Sequence, residues 1–251
     1  MTEFDHAVPE HVYIVGVGPG APDLLTLRAA NILRSVDVVL APRSSASFSS
    51  LALRTVRDLL DEERQMVVEH IYPMKRDQQG TRACWEEAAR TLLNHLFQGR
   101  SVAHITIGDP LIYSTSYYLL EALTEQIGSD RIHIVPGISA FQAVAARLGD
   151  TLTIQDDRMT IMSAADLSAV KQAVEACETL VLYKAGKRLD DLRRILGECG
   201  VLERAKAVFY AEQGDRETVV HDLQEDVPGT VGYMATVIVN TGRRYWTTRS
   251  E

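Results

Sequence analysis

A chain of 251 residues, 46% hydrophobic and 24% charged, has the composition of a soluble globular protein long enough to bury a large core as one domain or two. With 26 Lys+Arg against 34 Asp+Glu its net charge is −8, which argues against nucleic acid as a general partner but leaves room for local cations that receive an anion. Cys84, Cys177 and Cys199 are scattered without CxxC or His-rich spacing, no apolar run approaches ~18 residues, and MTEFDHAVPEH lacks a basic then apolar pattern, so the expectation is a soluble, untargeted, cytoplasmic chain with neither disulfide framework, zinc site nor membrane span.

The first predicted element is a strand, Val12-Tyr13-Ile14-Val15, running into Gly16-Val17-Gly18-Pro19-Gly20-Ala21 and then a helix from about Thr26 to Ser35. The glycines permit a tight turn with positive φ, and Pro19 and Pro22 hold its shape. Gly16, Gly18 and Ala21 fit the dinucleotide pattern G-x-G-x-x-A, yet the prolines interrupt the helix start that would receive a pyrophosphate. About 20 residues on stands Ala41-Pro42-Arg43, with no acid for a ribose, so a nicotinamide or flavin is disfavoured. Strand two, Asp37 to Leu40, opens into the small polar run Pro42 to Ser50, either a substrate flap or solvated slack, before a helix Leu51 to Leu60. Met66 to Glu69 predicts a third strand leading to Tyr72-Pro73-Met74-Lys75-Arg76-Asp77. Trp85 to Phe97 predicts an amphipathic helix whose Trp85, Ala88, Ala89, Leu92, Leu93 and Leu96 face the core.

The stretch Ser101 to Leu123 organises the chain. Val102, Ala103, Ile105 and Ile107 form a buried-strand pattern that stops at Gly108-Asp109-Pro110, and Tyr113 to Leu123 has helical spacing with Ser114, Thr115 and Ser116 as caps. A turn between a strand end and a helix start is where open α/β sheets place ligands. Asp109 either caps that turn or leaves a carboxylate at its mouth. Next come a strand Ile132 to Val135, the turn Pro136-Gly137-Ile138-Ser139-Ala140 and a helix Phe141 to Leu148. His104 and His133 fall inside strands, the setting of satisfied core histidines, and Tyr117 and Tyr118 are assigned to helix packing.

Gly149 to Asp157 has linker composition, and a second series of strands and helices follows: Met159 to Met162, Asp166 to Ala176, Leu180 to Tyr183, Leu189 to Leu196, Ala207 to Tyr210, Thr218 to Asp222 and Tyr233 to Val239. Little helix separates the last strands, so this half turns antiparallel. The expected fold is therefore two α/β domains, 1–148 and 149–251, with a cleft between them and a mixed sheet in the second.

Taken together, Gly16-Val17-Gly18-Pro19-Gly20 with Leu24-Leu25-Thr26-Leu27, Gly108-Asp109-Pro110, Val135-Pro136-Gly137-Ile138-Ser139-Ala140 and Leu180-Val181-Leu182-Tyr183-Lys184 resemble the tetrapyrrole methylases of the precorrin branch, in order and over nearly the whole chain. Within that family, Tyr72-Pro73-Met74 and Gly108 to Thr115 look most like the precorrin-2 C20-methyltransferases of cobalamin synthesis. The resemblance implies a homodimer whose two-domain subunit folds S-adenosylmethionine into its cleft, with the macrocycle in an adjoining trough. It implies donor contacts at Pro19, Ile107, Gly108, Asp109, Ile112, Ser139, Ala140 and Lys184, with Gly214 a further match. Ser139 stands where many relatives have Thr, which keeps the hydroxyl. Lys184 stands where some have Met, which changes the contact.

Methyl transfer from a sulfonium asks chiefly for alignment in a dry site, so few catalytic side chains are needed. If C20 loses its proton, the base is Asp109, Tyr113 or water. An acceptor with several carboxylate arms needs local cations, and Arg43, Lys75 and Arg76 lie in segments expected near the strand ends; Lys187, Arg188, Arg243 and Arg244 are further candidates. Surface solvation is the competing role for each. No protein-bound metal is expected. The alternatives are a sister methylase acting at another ring position or on diphthamide intermediates, and a non-catalytic nucleotide-binding module.

Overall fold

The computed structural model describes residues 6–45, 49–72, 78–225, 227 and 234–242, with the side chains of 78–81 aside. Two compact units, Met1–Ser139 and Ala140–Glu251, divide it. The first is built on strands β1 (Val12–Gly16), β2 (Val38–Arg43), β3 (Met66–Ile71), β4 (Val102–Thr106) and β5 (Ile132–Val135), joined by helices α1 (Leu27–Ser35), α2 (Leu51–Val56), α3 (Gln78–Leu96) and α4 (Ser116–Ile127). All its strand pairs are parallel, in the order β3-β2-β4-β1-β5. Alternate side chains of one strand therefore serve opposite layers. Tyr13 and Val15 pack with Ile32 and Leu33 of α1 and Leu53 and Val56 of α2, while Val12 and Ile14 pack with Leu92 and Leu96 of α3 and Leu119 and Leu123 of α4.

The strand order places the ligand end of this sheet. β1 and β4 are neighbours, yet the chain leaves β1 toward β2 and leaves β4 toward β5, in opposite directions and over opposite faces. Connections that diverge in this way open a crevice at the carboxyl ends of the two strands. Those ends are Gly16 and Thr106, which stand opposite each other in register.

Several element ends differ from expectation. β2 runs on through Pro42 to Arg43, because its pairing with β4 stops at Leu40 while its pairing with β3 continues to Arg43. The Arg43 carbonyl accepts from Tyr72 N–H on the β3 side, so Pro42 turns its donor-less nitrogen to the side where no strand is left to pair. α4 starts at Ser116, not Tyr113: the Ser114 hydroxyl accepts the Ser116 amide and contacts Thr106 Oγ1 at 3.3 Å, holding residues ahead of the helix in a turn. Tyr117 and Tyr118, assigned to packing, are 57% and 46% exposed.

The second unit carries α5 (Ala140–Leu148), β6 (Met159–Ser163), α6 (Leu167–Ala176), β7 (Thr179–Tyr183), α7 (Leu189–Glu198), β8 (Ala205–Phe209), β9 (Thr218–Val220) and β10 (Ala235–Asn240). Its sheet, β6-β7-β10-β8-β9, is mixed: β6 and β7 are parallel and the other pairs antiparallel. α6 and α7 cover one face and α5 the other, where Phe141, Val144 and Leu148 meet Val181, Val208 and Ile238. That packing is why the units divide between 139 and 140 rather than at the expected 148/149 boundary.

His104 departs from the satisfied core histidine. It lies in the middle of β4 opposite Ile14 and Leu40, is 1% exposed, and its Nδ1 has no hydrogen-bond partner among the described residues. Burial, helped by nearby His70, pushes its pKa from 6.5 down to about 3. In acid the unfolded chain takes up a proton that the folded one refuses, so stability present above about pH 6.5 drains as pH falls toward about 3, at up to about 1.4 kcal/mol per pH unit. Urea unfolding between about pH 6.5 and about pH 4.5 should show wild type losing about 2–3 kcal/mol more than His104→Gln. Parallel losses would mean that the imidazole is not kept neutral.

Candidate functional site

Three loops leave the carboxyl ends of β4, β1 and β5 and close on one another. Gly108 N–H donates to Gly18 O at 2.7 Å and Gly18 N–H to Gly108 O at 3.4 Å, an isolated antiparallel bridge that joins the β1 and β4 loops beyond the sheet. Both glycines are left-handed, with φ of 73° and 74°, the conformation such a close pair of turns requires. The β5 loop enters through Gly137. A methyl on Gly137 would stand 2.2 Å from Gly108 O, and one on Gly16 would stand 2.6 Å from the same oxygen, so side chains are sterically forbidden at both.

Asp109 locks the corner. Its Oδ1 accepts the Leu111 amide at 2.8 Å and its Oδ2 accepts the Gly137 amide at 3.1 Å, so one carboxylate shapes its own turn and ties it to the β5 loop. Both readings of Asp109 meet here: it shapes the turn and stays half-buried at the mouth of the crevice. Thr26, the N-cap of α1, accepts Ala29 N–H and reaches Pro136 O at 3.5 Å, which adds the start of α1 to the cluster.

The predicted residues of the first unit fall around this corner. Pro19 and Gly108 are buried, Ile107 is half-buried, and Ser139 is 2% exposed with its Cα 4.0 Å from where a Gly108 Cβ would stand. Ile112 and Tyr113 are exposed, with Ile112 N–H donating to Asp109 O at 3.4 Å. Tyr113 is left-handed at φ 51°, costly for a bulky residue and a conformation concentrated at functional sites. Arg43 ends β2, and its Nε is 3.3 Å from Glu69 Oε2 on β3, so this candidate cation already has a carboxylate. Lys75, Arg76, Arg243 and Arg244 lie outside the described residues.

In the second unit, Lys184 and Gly214 belong to loops at one end of the sheet, where β7 and β8 finish and β10 begins. The loops after β7 and β8 both hang from the start of β10: Ala185 N–H donates to Ala235 O at 3.2 Å and Tyr210 N–H to Met234 O at 2.9 Å. Lys184, Tyr210 and Glu212 are non-glycine residues with φ of 60°, 50° and 60°, and Gly214 has φ 61°. Ala140 opens α5, whose first turn is held at the end of β7 by Phe141 N–H donating to Tyr183 OH at 3.1 Å. Among the described residues no group of His, Cys, Asp and Glu is arranged to hold a metal.

Gly16, Gly137, Thr26, Ser114 and Glu69 were not singled out as site residues from sequence. The two glycines were visible as strand-end glycines, but what they must clear is a carbonyl from a different loop. Glu69 had no sequence signal, because its place beside Arg43 follows from the register of β2 and β3.

The chain matches the family model of tetrapyrrole (corrin/porphyrin) methylases over residues 11–227. It is 35% identical over 240 residues to a cobalt-precorrin-2 C(20)-methyltransferase of Salmonella typhimurium, covering 93% of this chain and 98% of the relative. Among solved structures it resembles a cobalt precorrin-4 methyltransferase, a cobalamin biosynthetic enzyme, with TM-score 0.70 at 23% identity over 92% of this chain and 95% of the other. It also resembles a uroporphyrin-III C-methyl transferase from Thermus thermophilus complexed with S-adenosylhomocysteine, with TM-score 0.63 at 22% identity over 92% and 97% of the two chains.

The corner makes a stability prediction of its own. Gly137→Ala forces a methyl against the Gly108 carbonyl and should lower the unfolding free energy by about 1–3 kcal/mol. Gly197→Ala in α7, where a methyl has 3.9 Å of clearance, should instead raise it by up to about 1 kcal/mol. Denaturant unfolding of the two variants beside wild type checks both signs.

Proposed function

The chain belongs to the tetrapyrrole (corrin/porphyrin) methylases, and from that premise we propose that it transfers a methyl group from S-adenosylmethionine to C20 of precorrin-2 or cobalt-factor II in cobalamin biosynthesis. The observation that carries the reading is the end-to-end likeness to the Salmonella C20 enzyme, which spans both units. The glycine corner adds physical support: it gathers three strand-end loops at the crevice of the parallel sheet, the position at which such sheets bind ligands.

The sulfonium brings its own leaving group, so the protein's task is to hold the methyl carbon in line between sulfur and C20 and to keep water out. We assign the donor to the Pro19, Ile107–Asp109, Ile112 and Ser139 corner, with Ala140, Lys184 and Gly214 as the second unit's contacts. Asp109 serves as a clamp, because both its oxygens accept backbone N–H groups, one from its own turn and one from the β5 loop. Tyr113 or water then removes the C20 proton. Arg43, Lys75 and Arg76 are assigned to the acceptor's carboxylate arms, Arg43 by exchanging Glu69 for a substrate carboxylate. The enzyme is read as a cytoplasmic homodimer that binds no metal of its own; cobalt, when present, travels in the acceptor.

Incubation with methyl-labelled S-adenosylmethionine and either acceptor should give a product heavier by one methyl, placed at C20 by NMR. A methyl on another carbon would move the chain to a sister activity, and binding of NAD without S-adenosylmethionine or S-adenosylhomocysteine would overturn the methylase reading. Arg43→Ala should raise the acceptor KM about tenfold, the loss of one charge-assisted hydrogen bond, and leave the donor Kd within about twofold. Equal loss of both affinities by calorimetry and steady-state kinetics would remove Arg43 from the acceptor site.

A further inference from the structure

Beneath the α3 and α4 layer, three buried polar atoms have no hydrogen-bond partner among the described residues: the Tyr72 hydroxyl, His70 Nε2 and His104 Nδ1. They belong to one cluster. Tyr72 stacks on Trp85 with ring centroids 3.9 Å apart, His70 lies 4.8 Å from the Tyr72 ring, and His104 meets Tyr72 edge-on at 6.2 Å. Tyr72 and His104 are 9% and 1% exposed. Buried orphans are few in a native protein and each calls for an explanation; three that share one neighbourhood call for a common partner.

We infer that His70, Tyr72 and His104 form a binding site for one internal water molecule, held between their three polar atoms. The chemistry of the lining selects that occupant. Burial pushes the Tyr72 phenol up, which keeps its proton on, and pushes His104 down, which keeps its ring neutral. Among the described residues no group of His, Cys, Asp and Glu is arranged to hold a metal, and a neutral molecule that both donates and accepts suits a protonated phenol beside two imidazole nitrogens. Water can accept from the Tyr72 hydroxyl and either donate to or accept from each ring nitrogen. The site also spans an intervening strand, because β2 lies between β3, which carries His70, and β4, which carries His104. The water therefore ties two strands that do not pair, at the point where the chain leaves β3 for Lys75 and Arg76.

A crystal structure at a resolution that orders solvent should show one peak at about 2.7–3.2 Å from all three atoms. In Tyr72→Phe, which loses only the hydroxyl, that peak should weaken or vanish while Trp85 keeps its stacked ring. In solution, a long-lived water should give a nuclear Overhauser effect to the Tyr72 and Trp85 ring protons of wild type, a readout that does not depend on the variant folding. A phenol oxygen bonded directly to an imidazole nitrogen with no peak between them, or a peak unchanged in Tyr72→Phe, would overturn the assignment.

Discussion

The first unit depends on one carbonyl, that of Gly108, around which loops from three strands are packed. It takes the Gly18 amide, and it stands so close to Gly16 and Gly137 that neither can carry a side chain. Asp109, the next residue, draws the Gly137 amide to its carboxylate. Steric exclusion and a charge-assisted bond thus act at the same place and in the same sense. What shapes this end of the sheet, from the strand order to the half-buried mouth, is brought to a common point by that contact.

The layers on either side of the sheet give the corner something rigid to stand on. Period-two alternation in β1 and β4 sends side chains to both layers, so the strands are held from two faces and their ends have little freedom to drift. The buried aromatic cluster of Tyr72, Trp85 and His104 extends this support to the far side of β2. It is polar where an ordinary core would be apolar, and it specifies an arrangement at the expense of acid tolerance.

What the sequence made legible was local. The loops at Gly16–Gly20, Gly108–Pro110 and Pro136–Ser139 announce themselves through glycine and proline after β-branched runs, and the structure brings all three together. Helix α1 was readable from Thr26, whose hydroxyl does cap it. The start of α4 was not, because Ser114, Thr115 and Ser116 all have cap chemistry, yet the residue at the cap position, Thr115, makes no side-chain bond to the helix, and Ser114 instead holds the turn ahead of it. Likewise the strand-interior pattern around His104 looks like any core position. That its Nδ1 has no partner among the described residues depends on what β3 and α3 bring opposite, and no window on the sequence contains that. The Arg43–Glu69 pair is of the same kind, a product of register rather than of neighbouring residues.

At the carboxyl ends of β7 and β8, Lys184, Tyr210 and Glu212 occupy backbone conformations in which glycine would be at ease. A protein selected for heat tolerance alone would relax each of them, at a gain of about 1 kcal/mol apiece. Keeping full side chains there means that this end of the second sheet is held under tension by its surroundings. Engineering for hardiness would find its easiest gains at these positions, and the same substitutions would strip away whatever those side chains are kept to do.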